Sequence, residues 1–217
     1  MAKIYWAGHS CFQISFSNSK ENSGDIVIDP FDESIGLKLP TLRADILLIT
    51  HNHYDHNNIK GVKGEPFVVQ GPGEYEIKGV FIRGIPSAHD DEGGKKRGEN
   101  TIYLIEAEDI KFCHLGDLGQ KNLTDEQLET IGPVDVLMIP VGGEYTIDFS
   151  DAQKIISQIE PKIVIPMHYA LPKLKIKLND VSKFLKAMGK TVNPQEKLIV
   201  KSSTLSKEGM EIIVLQP

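Results

Sequence analysis

A chain of 217 residues is long enough for one large domain with a sizeable core, and 40% apolar with 25% charged residues is not the composition of a disordered chain. A net charge of -6 excludes the general attraction to nucleic acid that a basic face provides, and no apolar run reaches the roughly 18 residues of a membrane helix. Bound divalent ions reverse charge locally, so nucleic acid is disfavoured as a partner without being excluded. The first six residues read as a strand, not as a signal peptide. Cys11 and Cys113 each sit in an apolar run; two cysteines make no disulfide framework, and buried free thiols fit a reducing compartment. The expected location is therefore the cytoplasm. The oligomeric state is not readable.

Residues 3–6 and 11–16 are predicted to form an antiparallel pair linked by Ala7-Gly8-His9-Ser10. Residues 20–24 have the composition of a hairpin turn, and residues 25–29 form a further strand that Pro30 stops. Residues 45–49 read as a short buried strand, and this strand runs into Thr50-His51-Asn52-His53-Tyr54-Asp55-His56-Asn57. Packing does not explain a buried strand that ends on three imidazoles and a carboxylate. Those are the groups that bind zinc and its neighbours. His51 and His53 are two apart and point the same way on an extended backbone, while Asp55 and His56 follow the turn. One ion for each pair is the natural reading, against the bland alternative of a polar surface loop.

A short helix is expected to begin at 57–59, then a strand at 66–70 and a hairpin of 74–77 with 80–85. That hairpin ends in Pro86-Ser87-Ala88-His89-Asp90-Asp91, which repeats the pattern of an apolar strand running into a histidine. His89 is the next candidate ligand; Asp90 and Asp91 are ambiguous, because carboxylates also cap turns. Residues 92–100 are glycine-rich and carry Lys95, Lys96 and Arg97. They are either a plain surface loop or a flap whose cations receive an anionic substrate. A hairpin of 101–106 with 110–113 ends in His114-Leu115-Gly116-Asp117, and Cys113 beside His114 is a weaker ligand candidate.

Thr124 is expected to cap a helix over 125–131, and 134–140 is a near-continuous apolar strand of a sheet interior. Ser150 would cap a helix over 151–159, whose apolar residues recur at helical spacing. The strand 162–166 runs into His168 and Tyr169. Asn179 would cap a helix over 180–188 that Gly189 ends, and strands at 197–201 and 210–215 close the chain.

Four apolar strands thus end in His or Asp. Ligands on such strand ends converge on one edge of a sheet. His51, His53, His56, His89 and His168 with Asp55 and Asp117 can serve two ions. Each ion would have about three protein ligands, a shared carboxylate and an open position for water. A structural zinc would be closed by four ligands, so this set points to catalysis. His9 alone is weak evidence, because a lone histidine is more often a hydrogen-bonded structural residue.

The run His51 to His56 is the His-x-His-x-Asp-His marker, and the chain resembles the metallo-β-lactamase superfamily. Gly8-His9-Ser10-Cys11-Phe12, Ile28-Asp29-Pro30, Gly116-Asp117 and Pro166-Met167-His168-Tyr169 resemble its compact bacterial zinc-dependent hydrolase branch, related to L-ascorbate-6-phosphate lactonases. The resemblance implies an α/β fold: an αβ/βα four-layer sandwich of two mixed sheets with outer helices, one sheet from each half of a single domain over 1–217. It implies a first metal on His51, His53 and His89, a second on Asp55, His56 and His168, and Asp117 as bridge. His114 is either the third histidine of the first ion or, by preference, a supporting residue or substrate contact. His9 would stand behind the ligands.

The implied cofactors are two divalent ions, zinc by default, with manganese, iron or nickel as alternatives. The implied activity is hydrolysis of an ester, lactone or phosphate ester in a small molecule by a metal-bridging hydroxide that Asp55 orients. Arg97 would contact an anionic group. His114, Tyr169 and a metal-bound water are the open choices for the leaving-group acid. A nuclease or cyclic phosphodiesterase of the same superfamily is the nearest alternative, but the chain is acidic and lacks room for a nucleic-acid-gripping domain. A true β-lactamase is disfavoured because no export signal is visible. Di-iron oxygen chemistry is disfavoured because it usually replaces the histidine at His53 with a carboxylate. A non-catalytic metal-stabilised binding module is the reading from a different class.

Overall fold

Two alternating apolar patterns dominate the first 70 residues, and both are buried. The computed structural model describes residues 1–17, 23–205 and 209–217. The strands are β1 Ala2–Gly8, β2 Cys11–Ser17, β3 Ser23–Ile28, β4 Leu42–Arg43, β5 Ile46–Ile49, β6 Val62–Lys63, β7 Phe67–Gln70 and β8 Gly73–Ile77. There follow β9 Val80–Ala88, β10 Glu99–Ala107, β11 Ile110–His114, β12 Val136–Pro140, β13 Ile163–Met167, β14 Leu198–Val200 and β15 Glu211–Ile212. The helices are α1 Asp125–Ile131, α2 Phe149–Ile159 and α3 Val181–Ala187. One sheet has six strands in the order β14-β1-β2-β3-β5-β7, and the other has seven in the order β15-β13-β12-β11-β10-β9-β8. Both are mixed: β3, β5 and β7 are parallel in the first, and β11, β12, β13 and β15 in the second.

The two sheets share one core. Ile26, Ile28, Ile46 and Leu48 of the first pack in the same apolar cluster as Ile102, Ile105, Phe112 and Met138 of the second. The alternate residues Val27, Leu47 and Ile49 face the other way, into a second cluster with Phe31, Ile35, Leu42 and Val62. That outer layer contains no α-helix among the described residues. It is made of two short 3-10 turns, the two-stranded β4-β6 sheet and the chain around Leu174 and Ile176. The α/β sandwich is therefore as expected, but its outer layers are unequal. Nor does each half of the chain supply one sheet, because β14 returns from near the C-terminus to pair with β1.

Local signals were sound at α1 and displaced at the other helices. Thr124 caps α1 and forms a reciprocal capping box with Gln127. α2 starts earlier than Ser150 would allow, because the Asp148 carboxylate takes the N–H groups of Ser150 and Asp151. For α3 the cap is Asp180, which accepts from the Ser182 N–H, and not Asn179. The closing strand shrinks to Glu211–Ile212. The turn expected at 20–24 lies mostly outside the described residues, although β2 and β3 pair antiparallel on either side of it. The cationic stretch is a hairpin loop: β9 continues through Pro86, and Ala88 pairs with Glu99 at the start of β10.

Candidate metal centre

β5 delivers Thr50 and the histidine run to one edge of the sandwich, where β9, β11 and β13 also end. There His51, His53 and His89 each bring a donor atom to within 4.8 Å of the others. His9, Asp55, His56 and His168 form a second such group, and His51, His56 and Asp117 a third that overlaps both. The Asp117 Oδ2 lies 3.2 Å from His56 Nε2, 3.2 Å from His168 Nε2 and 3.4 Å from His89 Nε2. This carboxylate therefore touches both of the first two groups.

The residues present fit a metal. Five buried imidazole nitrogens have no hydrogen-bond partner: His9 Nδ1, His51 Nε2, His56 Nε2, His89 Nδ1 and His168 Nδ1. Buried polar atoms are rarely left so, and a cluster of them asks for an ion. The spacing agrees: the edge of a tetrahedron with metal bonds of about 2.0–2.1 Å is about 3.3–3.4 Å. Burial, reinforced by the neighbouring imidazole of His56, pushes the His51 ring down to about 2. Burial and His168 push His9 to about 4, and burial lowers His89. Neutral rings carry the lone pair that a metal needs. His56 differs. Burial opposes its charge, but Asp117 and Asp29 on either side outweigh burial and raise it. A proton there offsets the two carboxylates, as a cation would.

Several residues outside the ligand set hold the rings. The Asp29 carboxylate is fully buried and accepts from the Thr50 N–H at 2.8 Å, the Thr50 hydroxyl at 2.6 Å and His56 Nδ1 at 2.9 Å. The Thr50 hydroxyl has one proton, and it goes to Asp29. The 2.9 Å contact with His51 is then donated by His51 Nδ1–H, which leaves Nε2 free. His9 Nε2 donates to Asp55 Oδ2 at 3.1 Å. Burial works against the Asp55 charge, but the His9 hydrogen bond and His56 hold its carboxyl well below the usual range.

Backbone strain gathers here as well. His9, Asp29 and His168 have φ of 54°, 48° and 51°, a left-handed conformation that costs a non-glycine residue energy. Gly116, at φ 57°, lets the next residue reach the centre, because a Cβ there would meet Asn100 Oδ1 at 2.3 Å. Asn100 in turn accepts from the Asp117 N–H at 3.0 Å. Sequence reasoning gave no role to Asp29, Thr50 or Asn100. Asp29 carries the same signal as the ligands, a carboxylate straight after the apolar Ile26-Val27-Ile28, and could have been found by it.

Two expected roles are corrected. His114 is neither a ligand nor a substrate contact. Its ring is fully buried, Nε2 donates to the Ser10 carbonyl at 3.0 Å, and Nδ1 accepts from the Gly116 N–H at 3.1 Å. Backbone groups use both nitrogens, so no catalytic proton transfer is open to it. It supports the centre from behind, since Ser10 Oγ lies 3.4 Å from Asp117 Oδ1. Tyr169 cannot be the leaving-group acid either. It is buried against Trp6 with ring centroids 5.0 Å apart, and its hydroxyl reaches the Leu215 carbonyl at 3.5 Å. Cys113 lies in the core, where burial pushes its thiol up to about 12, and it joins none of the donor groups.

The ambiguous carboxylates divide. Asp91 pairs with Lys121 on the surface at 3.0 Å. Asp90 pins the cationic loop: its two oxygens accept from the N–H groups of Glu92, Gly94, Lys96 and Arg97 at 2.8–2.9 Å. Arg97, so placed, lies over the Tyr145 ring at 5.5 Å. Asp90→Ala is expected to leave the fold intact but open residues 92–97 to limited proteolysis, and unchanged cleavage kinetics would contradict this role.

Two clefts meet at His53 and Arg97. One of about 630 Å³ has His53, Asp55, His89, Asp117 and His168 in its wall. The other, about 490 Å³, is lined by Asn52, Gln70 and Thr101 with His51, and by the charged pair Arg97 and Glu99. A small molecule entering the first cleft lies against both donor groups.

Residues 3–168 match a family model described as a beta-lactamase superfamily domain. A relative in Thermoplasma volcanium, named a UPF0173 metal-dependent hydrolase, is 31% identical over 77% of this chain and 83% of its own length. One of the same name in Pyrococcus horikoshii is 29% identical over 78% of this chain and 85% of its own. Among solved structures, a metallo-beta-lactamase superfamily protein of Thermotoga maritima is 35% identical, covers 99% of both chains and superposes with a TM-score of 0.78. A diiron beta-hydroxylase of Streptomyces venezuelae shares the fold alone, with TM-score 0.63 at 17% identity over 92% of this chain and 54% of its own. That last likeness shows that this fold does not choose the chemistry, which has to be argued from the site. A strand-end histidine run on a two-sheet sandwich, matched by a family model over most of its length, places the chain in the beta-lactamase superfamily.

Proposed function

We propose that the chain is a metal-dependent hydrolase that uses two divalent ions to cleave an ester, lactone or phosphate-ester bond in a small molecule. The observation that supports this is the position of Asp117 Oδ2 between the two donor groups, 3.2–3.4 Å from an imidazole of each. His51, His53 and His89 would hold one ion, Asp55, His56 and His168 the other, with Asp117 between them. Relatives named metal-dependent hydrolases support the class. The imidazole-rich donor set favours zinc, with manganese, iron or nickel as alternatives. When bound, such ions acidify water and polarise the bond under attack.

The chain's own residues orient the donors and admit the substrate. Asp29 acts on both groups. Through Thr50 it turns His51 Nε2 inward, and directly it turns His56 Nε2 inward. His9 keeps the Asp55 carboxylate charged and aimed. With His114 and Tyr169 occupied elsewhere, a metal-bound water is the one of the three expected proton sources that the geometry leaves open. A cytoplasmic site of action belongs to the proposal, supported by two unpaired, buried cysteines. No helix among the described residues is long and apolar enough to cross a membrane.

The test is metal content of the purified protein by mass spectrometry with a panel of phosphodiester, phosphomonoester, lactone and β-lactam substrates. About two metal equivalents, with turnover on one class that chelation abolishes and metal restores, is the expected result. One equivalent or none, with no turnover after metal addition, would overturn the proposal.

A further inference from the structure

Lys175, Ile176 and Lys177 line the larger of the two clefts and end the alternating run Lys173-Leu174-Lys175-Ile176-Lys177. Leu174 and Ile176 pack inward against the cluster around Phe31 and Ile35, and Lys175 and Lys177 stay exposed. This segment is fixed in place. The Lys175 N–H donates to the Ile35 carbonyl at 2.7 Å, and the Lys173 carbonyl lies so close to Gly36 that a Cβ there would meet it at 2.2 Å.

Lys175 and Lys177 line the same cleft as Lys96 and Arg97. The carboxylates in that lining are Asp55 and Asp117, both within the donor groups, so the charged side chains left for the rest of the lining are cations. A chain of net charge -6 would not be expected to gather four cations there by composition alone. Lys96 is engaged by Glu92 at 2.5 Å, whereas Lys175 and Lys177 have no carboxylate within ion-pair distance among the described residues. Exposed Tyr54 and Tyr145 line the same cleft, the latter with Arg97 over its ring.

We propose that the substrate is a small molecule with a phosphate or carboxylate group, and that Lys175 and Lys177 receive this group together with Arg97. The inference rests on the hydrolase reading above and narrows its substrate class. Lysine ammonium groups act as point charges with rotatable donors, while the Arg97 guanidinium can grip two oxygens at once. The two lysines act on binding and specificity; they do not touch the reacting bond.

The test is calorimetric titration of metal-loaded protein with phenylphosphonate, phenylacetate and neutral benzamide. Wild type is compared with the Lys175→Ala/Lys177→Ala double variant, and metal content is measured in both. The substituted side chains are exposed, and the backbone bond to Ile35 is retained. Loss of the lysines should weaken an anion by about tenfold or more and flatten its salt dependence, with benzamide and metal content unchanged. Whichever anion loses more identifies phosphate or carboxylate as the preferred group. Repeating the titration after chelation separates the two claims. A lysine-dependent loss there supports the anion site even if the metal reading fails. Equal anion binding by wild type and double variant in both forms would overturn the anion site and leave the metal reading standing.

Discussion

Replacing Asp117 with asparagine is expected to abolish hydrolysis and release metal while the fold stays in place. The side chain keeps its shape, so the Ser10 contact at Oδ1 and the backbone bond to Asn100 survive. What is lost is the negative charge that three imidazole nitrogens surround at 3.2–3.4 Å. A neutral amide is a poor ligand, and as a bridge it would weaken both ion sites together. Charge stabilisation by metal is worth several kcal/mol, so turnover should fall by about 10³-fold or more. The measurements are metal per chain, turnover on the substrate found by the panel, and the thermal melt of chelated wild type and chelated variant. Full turnover with two retained ions would remove Asp117 from the centre.

His53→Ala provides a useful contrast. His53 is half-buried and lies outside the apolar core, so metal and hydrolysis should be lost with only a modest change in the fold. The two variants test different parts of the proposal, the bridge in one case and a single donor group in the other.

The second large effect is expected at Asp29. Its carboxylate accepts three hydrogen bonds with no solvent nearby. Asp29→Ala would strand the Thr50 N–H, the Thr50 hydroxyl and the His56 ring N–H. Each buried orphan costs about 1–3 kcal/mol, and alanine at φ 48° adds about 1 kcal/mol of strain. Denaturant unfolding should register a loss of several kcal/mol. Asp29→Asn is the more discriminating variant. Asparagine tolerates the left-handed backbone and can still accept from Thr50, but its amide presents no second acceptor to His56. Its stability loss should be smaller, while metal affinity should fall about 10–100-fold through misoriented rings. Unchanged metal affinity in Asp29→Asn would mean that Asp29 supports only the fold.

The centre was unusually legible in sequence because its residues follow a local rule. His51, His89, Asp117 and His168 all come at or just beyond the end of an apolar strand. The extended backbone of a parallel or mixed sheet carries such ends to a common edge. The capping box of α1 was legible for the same reason, since Thr124 and Gln127 are three residues apart. The displaced caps of α2 and α3 show the limit. Where Asp148 and Ser150, or Asn179 and Asp180, compete within a few residues, composition does not say which side chain meets the free N–H groups.

By itself, then, the sequence determined the strand-to-ligand junctions and the His-x-His-x-Asp-His run, which depend on patterns over a handful of residues. The two-sheet sandwich came from the family resemblance that this run carries, because periodicity alone does not select it. Only the tertiary structure decided which partner each polar atom finds. His114 stands beside the ligands in sequence, but Ser10, 104 residues away, takes its Nε2. Asp29 is 27 residues from His56 and yet sets which nitrogen that ring turns inward. Lys175 and Lys177 share a cleft with Arg97 only because Leu174 and Ile176 pack on the outer face of the first sheet. A hydrogen bond or a shared cleft is settled by distance in space, and no local pattern encodes that distance.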